Sequence, residues 1–170
     1  MKIFLIGLPG SGKTTLGRAL ASQLKIRFID LDQEIENHYQ KSVSDIFNTS
    51  GETFFRKAEH DLLKTFCHQN ESFVMATGGG APCFHQNMNL INQAGISIFL
   101  DISVDSIHHR IVNSHRNNRP MFANLNAIAI REKISHLRAQ RIDFYQRARF
   151  TLKGDEISVQ EVIPLLEGKS

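Results

Sequence analysis

The chain has 170 residues, of which 41% are hydrophobic and 22% are charged, and it carries a formal net charge of +3. These values are typical of one globular domain, and the lack of a long apolar run or a secretory signal predicts a cytoplasmic protein that does not enter a membrane. The positive charge is mild and spread along the chain, which argues against a nucleic-acid track and favours a small anionic ligand.

Short apolar segments alternate with longer amphipathic segments along the chain. The segments predicted as strands are 3–6, 28–31, 73–76, 96–100 and 150–152. Apolar residues at helical spacing predict helices over 14–24, 60–68, 127–145 and 159–166. Strands of a parallel sheet are buried on both faces and therefore form continuous apolar runs, so this alternation predicts an α/β fold. No linker interrupts the pattern, and we expect a single domain over 1–170.

The first predicted strand leads into the stretch GLPGSGKT, residues 7–14, which matches the phosphate-binding pattern G-x-x-x-x-G-K-[ST]. Glycines let the backbone approach phosphates closely, and a helix that begins near Lys13 adds unpaired N–H groups and a positive dipole. Lys13 is predicted to reach the β- and γ-phosphates of a nucleotide, and the Thr14 hydroxyl to be a ligand of Mg²⁺. The other residues predicted to bind the nucleotide are Gly10, Ser11, Gly12 and Thr15. The alternative is a glycine-rich turn that binds nothing.

The second predicted strand ends in Asp30-Leu31-Asp32. Alternation along a strand places the two carboxylates on one side, at the edge of the sheet where α/β folds bind ligands. One carboxylate could hold water around Mg²⁺, and the other could accept a proton from an acceptor hydroxyl or orient it. The alternative is that Asp32 caps the next helix, and the pair alone does not decide between the two interpretations.

The next two predicted strands also end in residues of interest. The third ends in Thr77 and the glycines 78–80, where bare backbone suits close approach by a ligand, with a flexible turn as the alternative. The fourth ends in Asp101, which has the position of a magnesium-binding aspartate but is predicted to cap the following helix. The polar, basic segment 113–119 is predicted to be an exposed, mobile loop.

Six motifs follow one another along the chain. They are GLPGSGKT (7–14), DLD (30–32), GETFFR (51–56), ATGGG (76–80), RP (119–120) and RIDFY (141–145). With these motifs, nearly the whole chain resembles the shikimate kinase family. The resemblance implies a P-loop kinase domain, a three-layer α/β/α sandwich with a five-stranded parallel sheet of order 2-3-1-4-5. It also implies an acceptor-binding helical region near 32–60 and a lid near 111–124.

The resemblance implies an activity and an acceptor site. ATP would phosphorylate the 3-hydroxyl of shikimate to give 3-phosphoshikimate and ADP, in the biosynthesis of chorismate and aromatic amino acids. Arg56 and Arg141 would grip the carboxylate of shikimate, because a planar guanidinium matches carboxylate geometry. Asp32 would bind the acceptor hydroxyls and polarise the one that attacks, and Gly79 would donate a backbone N–H to the acceptor.

The resemblance also implies the residues that handle the phosphoryl group. Asp30 would support Mg²⁺ through water, and Arg119 would reach the nucleotide with the lid as an arginine finger supplied in cis. Lys13, Asp32 and Arg119 would form the catalytic set. Met121 and Phe122 stand where the family usually has two leucines, which affects the packing of the lid and not its charge.

Two other classes of function are also consistent with the phosphate-binding loop. One is a different small-molecule kinase, such as a gluconate kinase or a nucleoside monophosphate kinase. The other is a nucleotide-binding switch or nucleic-acid module without catalysis. Our prediction is the kinase that takes shikimate and ATP as its partners and Mg²⁺ as its cofactor, and that acts as a monomer.

Overall fold

A computed structural model describes residues 1–114 and 120–167. Its strands are β1 (Lys2–Ile6), β2 (Arg27–Asp30), β3 (Phe73–Ala76), β4 (Ile96–Asp101) and β5 (Phe150–Lys153). They form one sheet in the order β2-β3-β1-β4-β5, and all four neighbouring pairs are parallel. The predicted α/β class, the five strands and the strand order 2-3-1-4-5 are confirmed.

Helices connect the strands in the part of the chain that is described. They are α1 (Lys13–Leu24), α2 (Leu31–Tyr39), α3 (Val43–His68), α4 (Asn87–Ala94), α5 (Val104–Asn113), α6 (Ala127–Tyr145) and α7 (Val159–Glu167). Two 3-10 turns lie at Ala81–Cys83 and Pro120–Phe122. No helix within the described ranges combines the length and the apolar composition that crossing a membrane requires.

The core lies around the central strands of the sheet. Residues 3–6 of β1 and 73–76 of β3 are almost completely inaccessible to solvent, although successive side chains point to opposite faces. Both faces of these strands are therefore covered, which explains why they form continuous apolar runs. The outer strands β2 and β5 keep some exposed positions.

The helix prediction was incomplete in two ways. The helical period gave no bounds for α2, α4 or α5, although a helix was expected after Asp101 and a helical region near 32–60, and it began α3 at residue 60, whereas the helix begins at Val43. These three helices are 9, 8 and 10 residues long, so each offers few repeats of a helical period. Within α3, Gly51 has the non-helical angles φ 81° and ψ 171°, and this kink breaks the apolar period that the sequence would otherwise show.

The predicted cap of α5 was wrong. Asp101 remains the last residue of β4, and its carboxylate forms an ion pair with Arg138 at 2.7 Å. The helix begins three residues later, at Val104, and the hydroxyl of Ser103 accepts a hydrogen bond from the backbone N–H of Ser106 at 3.1 Å. Ser103 is thus the N-cap, because it is the residue that immediately precedes the first helical turn.

The end of β2 differs from the prediction as well. The strand stops at Asp30 and α2 begins at Leu31, so Asp32 lies in the first turn of a helix and not in a strand. Strand alternation therefore does not place the two carboxylates together. Asp32 is not the N-cap either: Asp30 occupies that position, and its side chain bonds elsewhere.

Candidate active site

Most of the predicted site residues line one cleft of about 720 Å³ at the carboxyl ends of the strands. Those that line it are Gly10, Lys13, Thr14, Asp30, Asp32, Arg56, Gly79 and Arg141. Ser11, Gly12 and Thr15 do not line it, although they adjoin lining residues in the loop and in the first turn of α1. Arg119, part of the lid 111–124 and most of the loop 113–119 lie outside the described residues. The fold therefore brings the phosphate-binding loop and the two arginines to a common space.

The phosphate-binding loop curves around the side chain of Lys13. This side chain is only 9% exposed, and its Nζ donates hydrogen bonds to the carbonyls of Gly7 at 2.9 Å and Leu8 at 3.0 Å. Gly12 has φ 95°, in the left-handed region that side chains disfavour, and this turn lets α1 begin at Lys13 as predicted. The N-terminus of α1 thus adjoins the cleft, where its N–H groups and dipole favour an anion.

The residue after Lys13 on α1 carries a hydroxyl that contacts a carboxylate at the end of β2. The Oγ1 of Thr14 donates a hydrogen bond to the Oδ2 of Asp30 at 3.0 Å. Proteins usually bind Mg²⁺ through one or two such oxygen ligands together with the phosphates of a substrate. The described residues contain no group of three or more His, Cys, Asp or Glu side chains that could hold a metal alone. The pair fits Mg²⁺ that arrives with a nucleotide.

Two buried carboxyl groups approach each other at Gly78. A Cβ atom placed on Gly78 would lie 2.7 Å from the Oδ1 of Asp32 and 2.8 Å from the Oε1 of Glu59. Burial raises the pKa of Asp32 to about 6, and the charge of Asp30 adds to this rise while Lys13 opposes it. Burial likewise raises the pKa of Glu59 to about 7, more strongly than the charge of Arg56 lowers it. Both acids therefore titrate near neutral pH.

Arg56 is held in one position from several sides. Arg56 is only 8% exposed, and its guanidinium donates hydrogen bonds to Glu59 at 2.9 Å and to Glu52 at 3.2 Å. The ring of Phe84 covers it at 4.4 Å. A Cβ on Gly80 would lie only 2.5 Å from Nη2 of Arg56, so the missing side chain makes this approach possible. The geometry presents a fixed cation to the cleft.

Arg141 and Tyr145 reach the glycine triplet from α6. The Nη1 of Arg141 lies 3.1 Å from the position of a Cβ on Gly79, and the hydroxyl of Tyr145 donates to the Gly79 carbonyl at 2.5 Å. Burial raises the pKa of Tyr145 well above its ordinary value, so the phenol stays protonated and remains a donor. Arg56 and Arg141 thus lie on the same stretch of backbone, at adjacent glycines.

Sequence reasoning did not assign a role to Glu59 or to Tyr145. Glu59 is three residues after Arg56 on α3, a spacing that predicts an ion pair on one helix face but not that the pair is buried. Nothing in the sequence indicates that the hydroxyl of Tyr145 meets a residue 66 positions away. Arg110 also lies at the site, since it donates to the Gly10 carbonyl at 3.3 Å and to the backbone carbonyl of Asp155.

Replacing Glu59 by Gln is expected to reduce the pH dependence of stability between about pH 4.5 and pH 7. Because the pKa of Glu59 is raised from 4.5 to about 7, the folded chain keeps a proton that the unfolded chain releases. The free energy of unfolding therefore falls as pH rises through this window. The contribution, about 3 kcal/mol for a shift of this size, is complete below pH 4.5 and lost above pH 7.

Urea denaturation of the wild type and Glu59→Gln at several pH values measures this difference in slope. The control is Glu132→Gln, which neutralises an exposed carboxylate on α6 and should leave the slope unchanged. Equal slopes for Glu59→Gln and the wild type would show that Glu59 ionises in the folded chain as it does in the unfolded chain.

The phosphate-binding loop at the carboxyl ends of a five-stranded parallel sheet of order 2-3-1-4-5 gives the chain the fold of the P-loop kinases. The family model of shikimate kinase matches residues 9–166, and the shikimate kinase of Bacteroides thetaiotaomicron is 36% identical over 98% of this chain and 99% of its own. The chain belongs to the shikimate kinase family. The prediction of an enzyme of this family is confirmed, with shikimate phosphorylation by ATP in aromatic amino-acid biosynthesis as its activity.

Solved structures agree with this assignment over the whole fold. A crystal structure of shikimate kinase from Bacteroides thetaiotaomicron has a TM-score of 0.93 at 35% identity and covers 98% of both chains. The structure of shikimate kinase from Acinetobacter baumannii in complex with shikimate has a TM-score of 0.87 at 32% identity, covering 99% of this chain and 94% of that chain. Neither the gluconate or nucleotide kinase alternative nor the non-catalytic alternative is supported by these matches.

Proposed function

We propose that ATP binds on the phosphate loop, that shikimate binds between Arg56 and Arg141, and that the γ-phosphoryl group passes to the 3-hydroxyl within the cleft. The observation that carries the proposal is the shared space: Lys13 and both arginines line the same cleft of about 720 Å³. Phosphoryl transfer requires mainly that donor and acceptor be held in line and that the developing charge be stabilised.

The nucleotide side is built by α1 and the end of β2. The ammonium of Lys13, which bonds two loop carbonyls in this structure, would exchange these contacts for the β- and γ-phosphates. Thr14 would coordinate Mg²⁺, and Asp30, bonded to Thr14, would hold it through water. When bound, Mg²⁺ neutralises charge on the phosphate oxygens and so reduces the repulsion that an attacking hydroxyl meets.

The acceptor side is built by the glycine triplet and two helices. The guanidinium of Arg56 is fixed against Gly80 and that of Arg141 lies against Gly79, so a small carboxylate could bond both. The backbone N–H of Gly79 would add a hydrogen-bond donor, and binding to it would cost no side-chain conformational entropy. This arrangement would place the ring of shikimate with its hydroxyls toward Asp32.

Asp32 would orient the 3-hydroxyl and accept its proton. Its pKa of about 6 leaves it mostly ionised at pH 7 yet close enough to neutral pH to take up a proton during the transfer. Charge developing on the transferring phosphoryl group would be met by Lys13 and, from the lid near 111–124, by Arg119. Met121 and Phe122 support a role for the lid because both line the same cleft.

The proposed unit of activity is a single-domain monomer in the cytoplasm. Each residue to which we assign a role, from Lys13 to Arg141, belongs to the same chain. The acceptor region near 32–60 corresponds to α2 and the first half of α3, which pack against each other beside the cleft.

A coupled assay of ADP release with ATP, Mg²⁺ and shikimate tests the proposal directly. We expect turnover with shikimate and a single product phosphorylated at the 3-hydroxyl, identified by NMR. Turnover with gluconate or CMP in place of shikimate would assign the site to another acceptor. Binding of ATP with no transfer to any of the three acceptors would refute catalysis.

Arg141→Ala is expected to raise the KM for shikimate roughly 30- to 100-fold, since removing a charged donor from a carboxylate costs about 2–3 kcal/mol. The KM for ATP should change less than the KM for shikimate, because Arg141 lies against Gly79, although Pro9 of the phosphate loop packs on the same glycine. Steady-state kinetics with each substrate varied in turn measures both constants. Arg131→Ala removes an exposed arginine from the same helix and serves as the control. Equal damage to both KM values would contradict a carboxylate-binding role.

A further inference from the structure

Tyr145 is the last residue of α6, and the proposed function gives it no part. Its side chain is fully buried, with its ring against that of Phe99 at a centroid distance of 5.2 Å. Its hydroxyl donates a hydrogen bond of 2.5 Å to the carbonyl of Gly79. A buried hydroxyl that donates a hydrogen bond to a backbone carbonyl of the acceptor site can hold that backbone in one position.

The glycine triplet needs such support because glycine restricts its own backbone less than any other residue does. The carbonyls at its two ends are held locally: that of Gly78 accepts from the N–H of Ala81 at 3.1 Å, and that of Gly80 accepts from the N–H of Cys83 at 2.9 Å. The middle carbonyl, that of Gly79, is held from another element, by Tyr145. The hydroxyl therefore ties the centre of the triplet to α6.

Fixing this carbonyl also fixes the N–H group on the other side of the same peptide. The peptide between Gly79 and Gly80 is planar and trans, so its C=O and N–H point in opposite directions. With the carbonyl turned toward the buried phenol, the N–H of Gly80 is turned the opposite way. Rotation of this peptide about the line that joins the Cα atoms of Gly79 and Gly80 would change the direction of the Gly80 N–H, while the guanidinium of Arg141 stays beside Gly79.

Arg141 and Tyr145 are four residues apart on α6, so both side chains leave the helix on the same face. We infer that Tyr145 is a positioning residue for the acceptor: its hydroxyl sets the peptide between Gly79 and Gly80, so that the N–H of Gly80 and the guanidinium of Arg141 meet one small carboxylate together. This inference rests on the proposed function for the identity of the acceptor. The geometric part of it, that the hydroxyl holds the triplet, does not depend on the substrate.

Tyr145→Phe tests the inference, because it keeps the ring and removes only the hydroxyl, which donates to Gly79 and also hydrogen-bonds the side chain of Arg141. The KM for shikimate is expected to rise about tenfold, since a buried carbonyl left without its partner allows the peptide to rotate. The KM for ATP should stay within twofold of the wild type, and kcat should fall by less than the KM rises. The matched control is Tyr39→Phe, which changes the only other tyrosine of the chain.

Phe99→Leu separates positioning from packing, because it weakens the ring contact while the hydroxyl remains. We expect it to lower the melting temperature without changing the KM for shikimate. If Phe99→Leu and Tyr145→Phe raised this KM equally, the role of Tyr145 would be packing and the inference would be overturned. An unchanged shikimate KM in Tyr145→Phe, or failure of that variant to fold, would overturn it as well.

Hydrogen–deuterium exchange of the free protein keeps this test separate from that of the proposed function. Amides of residues 78–80 should exchange at least fivefold faster in Tyr145→Phe than in the wild type and Tyr39→Phe. Unchanged exchange would overturn the inference even if shikimate is the substrate. Faster exchange in a protein that did not phosphorylate shikimate would support the structural tie while refuting the proposed acceptor.

Discussion

Lys13→Met is expected to lower kcat by a factor of about 10³ or more, which corresponds to at least about 4 kcal/mol of transition-state stabilisation. Methionine fills much of the same volume but carries no charge, so the β- and γ-phosphates lose the cation that the loop positions beside them. The effect should be large because this lysine is only 9% exposed, and charges interact more strongly when water is excluded. Single-turnover and steady-state kinetics at saturating ATP and shikimate measure it.

The substitution also removes two hydrogen bonds, from Nζ to the carbonyls of Gly7 and Leu8. Loss of these bonds could loosen the loop, so the melting temperature and the ATP dissociation constant should be measured beside the rate. The control, Lys64→Met, removes an exposed lysine on α3 and should change none of these quantities. A Lys13→Met variant with a normal rate would refute the assignment of Lys13 to the phosphates.

Asp32→Asn is expected to lower kcat by about 10²- to 10⁴-fold at pH 7, the usual range for losing a positioned proton acceptor. Asparagine keeps the shape of the side chain but cannot take the proton of the attacking hydroxyl. In the wild type, the rate should fall as pH drops through about 6, where the pKa of Asp32 lies and the carboxylate becomes protonated. In Asp32→Asn this acidic limb should disappear from the pH–rate profile.

The same substitution should stabilise the folded protein at high pH. Because the pKa of Asp32 is raised from 3.8 to about 6, the folded state binds a proton more tightly than the unfolded state, and stability is lost as pH rises through this window. Removing the carboxylate should recover about 2–3 kcal/mol at pH 8. A gain in stability together with a loss of rate would mark Asp32 as a residue retained for catalysis.

Asp143→Asn, which changes an exposed carboxylate on α6, is the control for both measurements. It should leave the rate, the pH–rate profile and the urea midpoint as they are in the wild type. If Asp32→Asn kept the acidic limb near pH 6, another group would be responsible for it, and Glu59, whose pKa is raised to about 7, would be the next to test.

The burial of Asp32 and Glu59 explains how the site holds carboxyl and guanidinium groups close together. Arg56 donates to Glu59, and the oxygens of Glu59 and Asp32 reach the same glycine, so one cation is shared between two carboxyl groups with raised pKa values. In the proposed function, the carboxylate of shikimate would join this cluster, and Arg141 would supply the second cation that balances its charge.

The sequence by itself determined the features that depend on neighbouring residues. The spacing of glycines and lysine in 7–14 defines the phosphate-binding loop, because loop, strand and helix are all local. Continuous apolar runs identified the five strands, and the order of the six motifs identified the family and with it the strand order. The bounds of the short helices α2, α4 and α5 were not predicted because segments of 8 to 10 residues offer few repeats of a helical period.

Only the tertiary structure decided which residues meet across the chain. The two carboxylates of the DLD motif share the cleft although the second belongs to a helix and not to the strand. Glu59 meets Asp32 at Gly78, and Tyr145 reaches Gly79 across 66 positions. These contacts depend on how the helices pack on the sheet. The pattern of residues along the sequence does not indicate which distant residues will meet. The pKa values that set the chemistry arise from the same burial, so they too belong to the fold.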